Sequence, residues 1–119
     1  MLTLYGILNC DTCKKARQWL ERSGIAYRFH DYRADGLPPE LLQRFIDALG
    51  WEKLLNKSST SWRQLSAEQQ ADLTCEKALA LMLDTPTLIK RPILESGTRL
   101  IIGFKTDQYE ALNLSEAQG

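Results

Sequence analysis

The chain of 119 residues is long enough for one domain with a real core, and its 44% hydrophobic and 25% charged residues are ordinary for a globular protein. Fifteen acidic residues balance fifteen basic ones, which argues against a nucleic-acid or membrane-surface partner, and no apolar run is long enough to span a membrane. Because three cysteines do not suit a disulfide-stapled secreted protein, and a strand beginning at Leu2 leaves no room for a signal peptide, we expect a cytoplasmic monomer.

The first third of the chain predicts a strand, a helix and a second strand. Residues 2–7 are apolar and strand-like, and apolar side chains then recur at helical spacing up to a stop at Ser23-Gly24. Apolar and polar residues alternate over residues 26–31, which predicts the second strand. A strand, a crossover helix and a strand form a βαβ unit, so we expect the two strands to be parallel.

The middle of the chain predicts helices. Pro38-Pro39 suits the first turn of an amphipathic helix that Gly50 ends, a further helical piece begins at Trp51, and Ser66 and Thr74 are candidate N-caps. We predict helices over residues 39–49, 51–55, 67–73 and 75–83, with a polar connection at 56–61. No repeat interrupts them.

The end of the chain predicts a hairpin and a last helix. Asp84-Thr85-Pro86 ends the helical stretch, and Ser96-Gly97 is the predicted turn between strands at 93–95 and 98–102. A helix over residues 107–114 follows, and the tail from Ser115 is expected to fray. The predicted fold class is therefore α/β: one thioredoxin-like β-α-β…β-β-α domain over residues 1–119, with an all-helical insertion at about 38–84.

Two cysteines lie where the first strand gives way to the first helix. Cys10 and Cys13 are three residues apart, a spacing that brings them to one helical face with Cβ atoms about 5–6 Å apart, close to disulfide geometry. A helix N-terminus favours a thiolate, and Lys14 and Lys15 strengthen the positive field while Asp11 opposes it. We predict that Cys10 is the attacking sulfur and that Cys13, one turn deeper, is the resolving partner.

Other interpretations of the pair are a zinc site or two ordinary core cysteines. A zinc site needs further ligands, and Cys75 and His30 stand alone and far apart in the sequence. A lone histidine at a strand end is more often structural than catalytic, and Cys75 has no neighbouring base or second thiol. We predict no metal.

The sequence resembles the arsenate reductase (ArsC) family, and within it the YffB proteins and Spx regulators. The resemblance rests on the thiol motif over residues 10–16, on the helical insertion, and on Arg91-Pro92 before the final hairpin. It implies a nucleophilic role for Cys10, an anion-binding role for Arg91 and a cis proline at Pro92 near the thiol. A guanidinium beside Cys10 would stabilise a thiolate or bind an oxyanion.

The chain departs from true arsenate reductases at three places. Asn56 and residues 101–103 stand where two further oxyanion-binding arginines are expected, and Gly6 replaces a histidine four residues before the nucleophile. Arsenate is therefore a poor candidate substrate.

We predict a glutathione-dependent thiol–disulfide oxidoreductase that uses glutathione as its co-substrate. Its partners are glutathione and a disulfide or mixed-disulfide substrate, and Cys13 or glutathione resolves the intermediate. Alternatives are an Spx-like redox-sensing regulator that binds RNA polymerase, and a glutaredoxin-coupled arsenate reductase. The predicted binding residues are Asn9, Thr12, Lys14, Lys15, Arg91 and Pro92.

Overall fold

A four-stranded sheet organises the part of the chain that carries the thiol motif. The computed structural model describes residues 2–112. Its strands are β1 (Leu2–Gly6), β2 (Tyr27–Asp31), β3 (Ile93–Ser96) and β4 (Arg99–Ile102), in the order β2-β1-β3-β4. β1 runs parallel to β2 and antiparallel to β3, and β3 pairs antiparallel with β4. The predicted α/β class, with its thioredoxin-like core, is therefore confirmed.

The chain divides into two compact units, residues 1–36 with 91–119 and residues 37–90. The first unit contains the sheet and two helices, and the second contains the other helices. The predicted organisation as a single domain with an insertion stays a prediction.

Helix α1 (Asp11–Arg22) makes the crossover from β1 to β2 and packs on one face of the sheet. It buries Cys13, Ala16 and Leu20, which lie on one helical stripe. After Ser23, Gly24 adopts a φ of 69°, the left-handed conformation that commonly follows a helix end. The buried core of this unit consists of Leu2, Leu4, Ala16, Leu20, Ile25, Leu94 and Tyr109.

The last elements of the first unit close the other end of the same core. Gly97 has a φ of 61° and turns the chain between β3 and β4, as predicted. Helix α7 (Thr106–Ala111) buries Tyr109, whose ring meets that of Phe104 edge-on at 5.0 Å. The predicted helix over 107–114 extends past residue 112, so its end and the predicted tail lie outside the described residues.

The second unit is helical, as predicted. Its α-helices are α2 (Pro39–Leu49), α3 (Trp51–Leu54), α4 (Thr60–Arg63), α5 (Ala67–Gln70) and α6 (Cys75–Asp84), and a 3₁₀ turn follows at Pro86–Leu88. Ser66 forms a capping box with Gln69, and the Thr74 hydroxyl caps α6, which confirms both predicted caps. The predicted polar connection at 56–61 is wrong at its end, because the Ser59 hydroxyl accepts the amide of Trp62 and starts α4.

Between residues 2 and 112, no helix combines the length and apolar character needed to cross a membrane.

Candidate functional site

Cys10 is the N-cap of α1 rather than a residue within the helix. Its backbone is extended, with φ −147° and ψ 119°, and its carbonyl oxygen accepts the amide of Lys14 at 2.9 Å. Its Sγ atom accepts the backbone N–H of Cys13 at 3.4 Å, the position that a serine or aspartate oxygen takes in ordinary caps. The half-buried thiol is thereby fixed at the tip of the turn, where the helix leaves amide groups unpaired.

The pKa of the Cys10 thiol is lowered. Burial by itself raises it, because desolvation disfavours the thiolate. Hydrogen bonds from the amide and the side chain of Cys13, together with a hydrogen bond and the positive charge of the Arg91 guanidinium, outweigh that cost. Cys10 is therefore more readily deprotonated than an ordinary cysteine thiol, and the thiolate is the nucleophilic form.

Cys13 has the opposite environment. Its side chain is 1% exposed and lies over Gly6 at the end of β1, and its sulfur accepts a hydrogen bond from the backbone of Ile7, the next residue. The pKa of the Cys13 thiol is raised to about 12, chiefly by burial. The neighbouring Cys10 contributes to the rise, whereas the backbone of Ile7 and the charge of Arg91 oppose it. At neutral pH, Cys13 is consequently a protonated thiol that can donate a hydrogen bond to Cys10.

Arg91 and Pro92 reach the motif from the other end of the chain. β1 pairs with β3 so that Tyr5 faces Ile93, and the same register places Pro92 beside Gly6 where the motif loop begins. The Arg91–Pro92 peptide bond is cis, as the family resemblance implied, and Pro92 is buried. Arg91 acts directly on Cys10, so the sheet brings together two residues that are 81 positions apart.

The remaining predicted binding residues surround the motif at the surface. Asn9 lies in the loop before Cys10, and Thr12, Lys14 and Lys15 lie in the first turns of α1, all with exposed side chains. They are therefore neighbours of Cys10 along the chain, but the lowered pKa of Cys10 comes from Cys13 and Arg91. Lys14 also lines a shallow groove with Leu8, Arg17, Gln18 and Glu21.

His30 and Cys75 take no part in the thiol site. The Nε2 atom of His30 lies 2.8 Å from the Gly36 carbonyl oxygen, to which it donates, and its ring packs near Tyr5. Cys75 is exposed at the start of α6. Within residues 2–112, the acidic, histidine and cysteine side chains form no cluster of three or more that could hold a metal ion.

The sequence drew attention to Gly6 only as the replacement of a histidine, and it did not reveal which group packs against this glycine. A β-carbon built at Gly6 would lie 2.5 Å from the Cys13 sulfur, so the thiol occupies the space that any side chain would need. A glycine inside a strand is a general signal of close approach by another group, but it does not identify that group.

Comparisons with known proteins agree with this geometry. The model of the ArsC family matches residues 5–112. An uncharacterized protein of Haemophilus influenzae is 44% identical over 111 residues, which cover 93% of this chain and 97% of that protein. The global transcriptional regulator Spx of Streptococcus agalactiae is 28% identical, with coverage of 93% and 82%.

A solved structure points the same way. The YFFB protein is 50% identical and superimposes with a TM-score of 0.89, over 93% of this chain and 97% of that one. The family match spans the two cysteines of the motif, the helical unit and the Arg91-Pro92 segment together, and from this agreement we conclude that the chain belongs to the ArsC family.

Proposed function

We propose that the protein is a glutathione-dependent thiol–disulfide oxidoreductase with Cys10 as its nucleophile. The observation that carries the proposal is the asymmetry of the two thiols. Cys10 is partly accessible and has a lowered pKa, whereas Cys13 is buried and protonated. An enzyme of this kind needs one accessible thiolate near neutral pH, and its attack on disulfide sulfur is the chemistry that such a thiolate performs.

The reaction proceeds by two exchanges. The Cys10 thiolate attacks the glutathione sulfur of a mixed disulfide, forms a Cys10–glutathione disulfide and releases the substrate thiolate, which takes up a proton. A glutathione thiolate then attacks the glutathione sulfur of that adduct, which releases oxidised glutathione and restores the Cys10 thiolate. The alternative second step is attack by Cys13 on Cys10, which releases reduced glutathione and leaves an internal disulfide.

The positive side chains around Cys10 suit a ligand that carries carboxylates. Glutathione has two carboxylates, and Lys14 and Lys15 extend from the exposed side of α1 while Arg91 lies next to the sulfur. Asn9, Thr12 and the segment at Pro92 would complete the binding surface. This assignment of glutathione-binding residues goes beyond the family membership and does not follow from it.

The proposal is tested by the turnover of a peptide–glutathione mixed disulfide in the presence of reduced glutathione, with oxidised glutathione measured as the product. We expect the Cys10→Ser variant to lose turnover. Cys75→Ser is the matched control, because it removes an exposed cysteine outside the site, and it should retain the wild-type rate. Equal rates for the wild type and Cys10→Ser would refute the proposal.

The similarity to Spx favours a second candidate, a redox-sensing regulator that binds RNA polymerase and uses Cys10–Cys13 as its switch. Capture from a cell extract separates the two functions. Stoichiometric recovery of polymerase, without turnover of glutathionylated peptide, would favour the regulator.

A further inference from the structure

Gly6 is a glycine that the backbone itself does not require. It lies at the end of β1, paired with Asp31 of β2, and it is absent from the residues with positive φ. An alanine can adopt ordinary strand conformation, and a glycine in a strand interior costs stability because it is flexible in the unfolded chain. Glycine is therefore required at this position because there is no room for a larger residue's β-carbon.

The space over Gly6 is filled by the second thiol of the motif. A β-carbon at Gly6 would meet the Cys13 sulfur at 2.5 Å and the Cys13 β-carbon at 3.6 Å, and the Phe29 ring at 3.8 Å. The first of these distances is far below van der Waals contact, whereas the last is ordinary packing. Only the Cys13 sulfur thus conflicts with a side chain at residue 6.

The strand is anchored so firmly that the sulfur would have to move instead. The Gly6 carbonyl oxygen accepts the amide of Tyr32 at 2.9 Å, and β1 is paired on both edges by β2 and β3. The Cys13 sulfur, by contrast, can change position by rotation about a single bond, the Cα–Cβ bond of Cys13, near the N-terminal end of α1. Rotation about that bond would take it away from the backbone of Ile7 and out of its buried position.

We propose that Gly6 is a positioning residue of the thiol site: it gives the Cys13 sulfur a buried seat, from which Cys13 donates a hydrogen bond to Cys10 but does not attack it. The inference rests on the proposed function, since it concerns how the Cys10–glutathione disulfide is resolved. While the Cys13 sulfur stays in this buried position, a second glutathione thiolate attacks the glutathione sulfur of the adduct. Oxidised glutathione is released, and the Cys10 thiolate is restored. With Cys13 displaced, its thiolate attacks Cys10, glutathione leaves reduced, and an internal disulfide forms.

The position of the sulfur is measured by alkylation of Cys13 with iodoacetamide over a range of pH. The Cys10→Ser and Cys75→Ser background leaves Cys13 as the reacting thiol and removes the charge of Cys10, while Arg91 remains. We expect Gly6→Ala to raise the alkylation rate at pH 8 about tenfold or more, because each unit by which a thiol pKa falls gives roughly tenfold more thiolate. An unchanged rate and pH profile would overturn the proposal.

The second measurement is the product formed when intact protein meets oxidised glutathione. We expect the wild type to accumulate the Cys10–glutathione adduct, which mass spectrometry detects as the addition of one glutathionyl group. Gly6→Ala should shift the product to the internal disulfide with release of reduced glutathione. An internal disulfide as the main wild-type product would sink the proposal, whether or not the Gly6→Ala variant folds.

A double variant supplies the matched control. In Cys13→Ala the sulfur is gone, so adding Gly6→Ala should not lower the melting temperature of Cys13→Ala, and it should leave the Cys10 alkylation rate unchanged. A further loss in the double variant would mean that residue 6 acts through another neighbour. These readouts require no turnover of glutathionylated substrate, so a failure of the proposed function is recognised separately, by the absence of turnover in the wild type.

Discussion

The backbone amide of Cys13 donates a hydrogen bond to the Cys10 sulfur over 3.4 Å, so the second cysteine of the motif stabilises the first while both are reduced. Its side chain adds a second stabilising hydrogen bond, which a protonated thiol can provide and a thiolate cannot. Burial is the main cause of the raised pKa of Cys13, and the interaction between the two sulfurs adds to that rise while it lowers the pKa of Cys10.

The first prediction concerns selective labelling. Cys10 should react with iodoacetamide at neutral pH faster than Cys13 or Cys75, because its pKa is lowered by the hydrogen bonds it accepts and it is partly accessible. Mass spectrometry of peptides after brief labelling measures the three rates. Equal labelling of all three cysteines would contradict the assignment of the nucleophile.

The second prediction concerns Arg91. Arg91→Gln removes the guanidinium that acts on Cys10, so the pH at which Cys10 is half alkylated should rise. Loss of one charged hydrogen bond is worth roughly 1.5–3 kcal/mol, so turnover should fall on the order of 10- to 100-fold. Arg28→Gln, on the exposed face of β2, is the control and should behave as the wild type. An unchanged midpoint in Arg91→Gln would separate Arg91 from the nucleophile.

The third prediction concerns stability at alkaline pH. The pKa of Cys13 is raised to about 12 in the folded protein, whereas it is about 8.5 in the unfolded chain. The stability that the protonated Cys13 thiol contributes is therefore fully present below pH 8.5 and is lost as the pH rises toward the folded pKa. Above pH 8.5 the free energy of unfolding should fall with a slope approaching about 1.4 kcal/mol per pH unit.

Urea unfolding between pH 8.5 and 9.5 measures this slope, below the range in which unfolded tyrosines titrate at about 10. Cys13→Ala has no thiol to ionise and should show a flatter dependence. Identical slopes in the two proteins would mean that Cys13 is not held protonated by the fold.

The fourth prediction compares two buried tyrosines. Within residues 2–112, the hydroxyl of Tyr32 finds no hydrogen-bond partner although the side chain is 3% exposed, whereas the hydroxyl of Tyr109 donates to the Gly103 carbonyl at 3.2 Å. Tyr32→Phe should therefore raise the free energy of unfolding by roughly 1 kcal/mol, and Tyr109→Phe should lower it by about as much. Thermal unfolding of both variants gives the sign of each change in the free energy of unfolding. A lower stability of Tyr32→Phe would show that the Tyr32 hydroxyl is hydrogen-bonded.

The fifth prediction concerns arsenate. Asn56 uses its side-chain oxygen to accept the amide of Ser58 at 3.0 Å, and residues 101–103 supply no cation, so neither position replaces the arginines of true arsenate reductases. Each lost charged hydrogen bond costs roughly 1.5–3 kcal/mol, so arsenate binding should be weaker on the order of a hundredfold to several thousandfold. Efficient arsenate reduction by the purified protein, coupled to glutathione, would reverse this ranking.

Local patterns were sufficient to predict most of the fold. Apolar periodicity and the residues at helix ends correctly predicted β1, α1 and β2, because these signals act within a few residues. The short helix α4 escaped prediction, since a four-residue helix depends on a single serine cap and carries too little periodicity to recognise.

The site was less predictable because it depends on distant contacts. The motif identified Cys10 and Cys13, but only a family resemblance connected them with Arg91, since nothing in local spacing relates residues 81 positions apart. The packing of the Cys13 sulfur against Gly6 could not be predicted either, because it depends on how α1 docks on β1 in the tertiary structure. Lys14 and Lys15 were expected to strengthen the positive field at Cys10 alongside Arg91, whereas the lowered pKa of Cys10 comes from Cys13 and Arg91.

The sheet order β2-β1-β3-β4 has a consequence for the order in which the site is made. β1 and β2 both lie within residues 2–31, whereas the strand that pairs with the other edge of β1 consists of residues 93–96. Cys10 and Cys13 also precede Arg91 by most of the chain. A growing polypeptide therefore carries both thiols before it carries the guanidinium that lowers the pKa of Cys10, so the environment of that thiol is complete only after residue 91 has been made.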